Sequence, residues 1–150
     1  MKTMNSTKPN SPTNQNLHGL IDSAIAELSV MNIAPNSRIV NNVPGDLSIG
    51  DKEQSIYVIM RGLLYALMAN ADEGEILVSA SVLFGNTIKV SARDNNCYNT
   101  YAIACALQQV VPVAEKMGGF LNIMNQRQKI TTIEFSFPFQ KEIEPAVDEE

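Results

Sequence analysis

Residues 50–80 read GDKEQSIYVIMRGLLYALMANADEGEILVSA, and the fold turns on how this stretch is parsed. Ile56, Val58, Ile59, Met60, Leu63, Leu64, Ala66, Leu67 and Met68 predict a helix that is apolar nearly all round and runs to about Ala69. Asp51, followed three residues later by Gln54, reads as a variant capping signal that opens it. EILVSASVLF and TIKVSARD come next, separated by Gly85-Asn86, the pattern of a hairpin with a tight turn. In the second of these strands Ile88, Val90 and Ala92 alternate with Lys89, Ser91 and Arg93, so one face is packed and the other wet.

Upstream, Leu17, Leu20, Ile21, Ala24, Ile25 and Leu28 form a 3.6-residue stripe, an amphipathic helix that ends before Pro35. RIVNNVPGDLSI then reads as a short strand, a turn at Pro44-Gly45 and another extended piece. Downstream of the polar turn Asp94-Asn95-Asn96, a third helix is marked by Ile103, Ala106, Leu107, Val110, Val113, Ala114 and Met117, with a kink at Pro112. Gly118-Gly119 stops it, and GFLNIM with ITTIEFSF makes a second hairpin that points Ile133, Phe135 and Phe137 inward. Strands gathered under helices on one face predict a two-layer α/β sandwich, a mixed sheet covered by three helices.

Composition bounds what such a domain does. A chain of 150 residues, 45% hydrophobic, makes one domain able to bury roughly 68 to 70% of its unfolded surface. Eleven Lys+Arg against 16 Asp+Glu, a net charge of -5, leaves no footprint for a phosphate backbone, so nucleic acid is not expected as a partner. Two cysteines without an export-signal pattern predict a reducing, cytoplasmic setting, and no run is apolar enough for a membrane span. Residues 1–15 read as a flexible polar leader, 16–139 as the domain, and 140–150 as a solvated acidic tail.

The order of elements, together with five local phrases, resembles the ATP-binding catalytic domain of sensor histidine kinases. That domain belongs to the GHKL superfamily, which also holds gyrase, a heat-shock chaperone and the mismatch-repair ATPases. NLHGLIDSAIAEL resembles its first helix, and residues 50–80 its asparagine-box helix and following strand. NTIKVSARDNNC resembles the strand into its first glycine box, while AEKMGGFLNI and ITTIEFSFPF resemble its closing helix, turn and last hairpin. The resemblance implies a histidine-kinase-ATPase-like fold over about residues 16–139.

The same resemblance assigns the family's chemistry to a few positions. The asparagine that coordinates magnesium falls on Ala66, whose methyl cannot ligate a hard cation. The other polar positions of that box fall on Gly62 and Val58, and the lysine-type position on Ala69. The first glycine box falls on residues 94–98: Asp94, the adenine reader, is kept, but Asn96 and the bulky Tyr98 stand in place of glycine. The second falls on residues 104–107, where Ala104 and Ala106 replace glycines that would let backbone N–H groups approach phosphate. Only six residues, Tyr98 to Ile103, separate Cys97 from Ala104, too few for the family's lid.

No catalytic residue and no metal ligand is therefore assigned. Asp94 is the one cofactor-binding candidate, set against a plain reading as a turn residue that accepts backbone N–H bonds. His18 lacks the neighbours of a phosphoacceptor box and reads as a surface histidine without partners. Cys97 and Cys105 read as small buried hydrophobes, with a reactive Cys97 the lesser reading. Tyr98 and Tyr101 read as packing residues, the alternatives being to fill the vacated nucleotide pocket or to present a contact surface to a partner. The expected function is a non-catalytic pseudokinase-like module of a two-component or related signalling system. Its partner would be a signalling protein such as a kinase, a response regulator or a sigma-factor pathway component, with no cofactor. The alternative is a residual ATP- or ADP-binding domain of a two-component or anti-sigma-type kinase.

Overall fold

The computed structural model describes residues 16–33, 37–70, 74–84, 86–97, 99–127 and 129–139. The leader, the acidic tail, Gly85 and Tyr98, all assigned roles above, lie outside them. The first helix, α1 (Leu17–Met31), starts where the Asn16 carboxamide accepts the Gly19 N–H at 2.8 Å. It stops where Asn32 takes a left-handed conformation, φ 53°, which asparagine tolerates better than most residues. Its buried stripe is Leu17, Leu20, Ile21, Ala24 and Leu28.

Strand β1 (Ser37–Asn41) follows, but the second extended piece expected near Ser48 is only a single bridge between Ser48 and Asn16. Residues 42–49 instead serve α1. The Leu17 N–H donates to the Leu47 carbonyl at 2.8 Å, and Val43 and Ile49 drop into the core. Asp51 is not a helix cap; it lies inside a 3-10 turn, Gly50–Lys52, that leads into α2 (Glu53–Asn70). Eight residues of α2 are buried, while Val58 and Tyr65 are 42% exposed, so the helix is central without being enclosed on every side.

Strands β2 (Gly74–Leu83) and β3 (Thr87–Asp94) form the first hairpin. Leu83 pairs with Thr87, leaving a three-residue loop in which Phe84, at φ 52°, takes the left-handed position. Gly74 opens β2. The expected third helix is two: α3 (Thr100–Leu107) and α4 (Val111–Lys116). Pro112 sits in the first turn of α4, where its missing N–H costs nothing, so the chain breaks before the proline instead of bending around it. Strands β4 (Phe120–Gln126) and β5 (Ile130–Pro138) close the domain.

The sheet order is β1-β2-β3-β5-β4, parallel between β1 and β2 and antiparallel elsewhere. Ile76, Val78, Ile88, Val90, Ala92, Ile133, Phe135 and Phe137 line its buried face and share one core with the helices. Lys89, Ser91 and Arg93 stand on the other face, as their alternation predicts. The result is a two-layer α/β sandwich with a mixed five-stranded sheet.

Candidate functional site

Four of the positions singled out by sequence lie along one side of α2. Val58, Gly62, Ala66 and Ala69 follow helical spacing along it, and none carries a side-chain oxygen. Ala66 is fully buried, in the same core as Ile103 and Leu107 of α3. At Gly62 a β-carbon would lie 2.7 Å from Cγ1 of Val110, the residue just before α4. Glycine is required there because the α3–α4 junction rests directly on the helix backbone. The expected glycine-to-alanine exchanges at Ala104 and Ala106 fall within α3, which is continuous helix through both.

Asp94 closes β3 with its side chain 1% exposed. Its Oδ1 accepts the Asn96 N–H at 2.7 Å, an Asx turn that reverses the chain as the turn reading expects. The loop is then tied down through Cys97. Its N–H donates to the Lys129 carbonyl at 3.0 Å, its own carbonyl accepts the Thr131 hydroxyl at 2.9 Å, and its thiol reaches the Asn70 carbonyl at 3.5 Å. Asn125 Nδ2 donates to the same hydroxyl at 3.0 Å. One cysteine thus joins the end of α2, the β4–β5 hairpin and the Asp94 turn. The buried position of Cys97 fits the reading as a small hydrophobe; its place in this network carries no signal in the sequence.

Three other expectations are corrected. Cys105 is exposed, because α3 turns it away from α2. Tyr101 is 80% exposed rather than packed into the core. His18 has partners: Nδ1 lies 2.8 Å from the Val43 carbonyl and Nε2 3.3 Å from Asp22, so the ring pins the 42–49 segment to α1. Among the described residues no group of three or more His, Cys, Asp and Glu side chains could hold a metal ion. No helix among them is long and apolar enough to cross a membrane.

This architecture is the histidine-kinase ATPase-like fold. Full-length ShkA, solved in complex with AMPPNP, superposes with a TM-score of 0.70 at 19% identity, over 89% of this chain and 32% of that one. The histidine kinase AdeS of Acinetobacter baumannii gives 0.69 at 6% identity, over 84% and 66%. The mycobacterial sensor histidine kinase MprB gives 0.65 at 11% identity, over 84% and 96%. This chain therefore spans about a third of ShkA and nearly the whole of the MprB structure. No protein-family model and no curated protein matches it.

Proposed function

We propose that this chain is a non-catalytic, regulatory protein-interaction module built on the histidine-kinase ATPase-like fold and acting in cytoplasmic signal transduction. The observation that carries this reading is the seating of Val110 on Gly62, at the helix face where the related fold would present polar groups to nucleotide phosphates. With Ala66 buried and methyl-bearing at the magnesium position, the α2 face offers apolar packing in place of oxygen ligands. These residues do not fit a magnesium–triphosphate group. The partner in this reading is a signalling protein, such as a kinase, a response regulator or a sigma-factor pathway component. Affinity capture from native lysate that repeatedly returned no such protein would remove its support.

The retained Asp94 favours a second reading, residual ATP or ADP binding without metal. ShkA binds AMPPNP on the same fold, and that analogy is one of fold alone. A thermal-shift series with ATP, ADP and magnesium separates the two. Ligand at about 100 times its Kd adds ~2.7 kcal/mol, or roughly 5 to 11 °C for a domain of this size. The module reading expects no shift at millimolar nucleotide, and a clear shift overturns it in favour of the second.

A further inference from the structure

We propose that the free edge of the sheet, β4, pairs antiparallel with β4 of a second copy of this chain. The strand ends the sheet, so one side of its backbone has no ladder partner among the described residues. Exposed edges are normally guarded by charge, proline or a bulge. FLNIMNQ carries no charge and no proline, and it pairs one-to-one with β5 from Phe120↔Ser136 to Gln126↔Ile130. The opposite edge is guarded: Arg38 of β1 pairs with Glu75.

The edge is neutral along the strand and through the chain that precedes it, and Arg127 lies beyond the seven strand positions. Residues 95–126 contain only Glu115 and Lys116 as charged residues, and these cancel, in a chain carrying 11 Lys+Arg and 16 Asp+Glu. Helices α3 and α4 both contact β4, so this stretch is one region of the molecule. It displays Tyr101, Phe120 at 60% exposure and Met124 at 40%.

Neutrality is what selects a second copy as occupant. A two-fold axis sets each patch against itself, so any net charge on it would repel its own image, and the more so in a chain of net charge -5. The register with the axis at Ile123 pairs all seven residues: Phe120 faces Gln126, Leu121 faces Asn125, and Asn122 faces Met124. Leu121 and Ile123 pair with Phe135 and Ile133 and share their buried face, whereas Phe120, Asn122 and Met124 take the open one. Both faces of the sheet then continue across the axis.

Sedimentation velocity on the full chain over a micromolar to millimolar series tests this, with two variants at exposed positions. N122K/M124K sets like charges against each other twice across the axis, whereas N122K/M124E sets opposite charges there. The wild type is expected to dimerise. The first variant weakens dimerisation roughly tenfold or more, and the second restores it to within about threefold, because cross-strand charge pairs act with opposite sign. Matching far-UV spectra and melts establish that the variants fold. A wild type that stays monomeric throughout, or two variants that change association alike, overturns the proposal.

Discussion

Val110 places its Cγ1 2.7 Å from the position a β-carbon on Gly62 would occupy, so the junction of two short helices rests on the backbone of α2. Glycine costs about 1 kcal/mol relative to alanine inside a helix. Its presence at the centre of α2 is explained by this contact.

Gly62→Ala is therefore expected to destabilise by up to about 2 kcal/mol, the gain in helix propensity being outweighed by overpacking of ~1–3 kcal/mol. In a Val110→Ala background the obstructing methyl is absent, and the same change becomes neutral or stabilising. Urea denaturation of the four proteins checks this, with a coupling energy of about 1 kcal/mol or more expected.

Ala66→Asn would place an amide oxygen at the position that the resemblance assigns to the magnesium-coordinating asparagine. Ala66 is fully buried, so the larger polar side chain should cost about 1–3 kcal/mol. It should not create Mg-ATP binding, because Val110 still occupies the helix face one turn away. Denaturation and titration calorimetry with Mg-ATP read the two effects separately.

Thr131→Val removes the hydroxyl that donates to the Cys97 carbonyl at 2.9 Å in a fully buried position. A loss of about 1–3 kcal/mol is expected, with faster hydrogen exchange in the Asp94 turn. Asn125→Ala, which removes only an exposed donor to that hydroxyl, should cost less than about 0.5 kcal/mol. Equal effects from the two substitutions would show that the Cys97 tie is unimportant.

The Tyr57 phenol donates to the Glu27 carboxylate, which raises its pKa above the ordinary 10.0; burial and the Glu27 charge act the same way, and Arg61 opposes them. The folded pKa thus exceeds the unfolded one. The contribution to stability is complete below the unfolded value and is lost as pH rises through the folded one. Spectrophotometric titration should show a tyrosine ionising above 10.0, and Tyr57→Phe should remove that step.

Elements with strong local patterning were legible in the sequence. The stripe of α1, the alternation of β3 and the inward Ile133, Phe135 and Phe137 all appear where periodicity puts them. Pro112 was legible as a disruption but not as a helix start, since a proline fits equally a kink or a first turn until the packing of the preceding residues is known. Of the candidate site, the lack of a side-chain oxygen at Ala66 and Ala69 was legible from residue type alone. The His18 contacts and the exposure of Tyr101 and Cys105 were not, because they depend on which way each helix is rotated.

The sequence by itself determined the order of α1, α2 and the two hairpins, their buried faces and the lack of a side-chain oxygen at Val58, Gly62, Ala66 and Ala69, because side-chain chemistry and period are local properties. Only the tertiary structure decided that Val110 fills the notch at Gly62, that Cys97 joins three elements, and that β4 ends the sheet among the described residues. Each of these joins residues distant in the chain, and such contacts are set by how the layers pack.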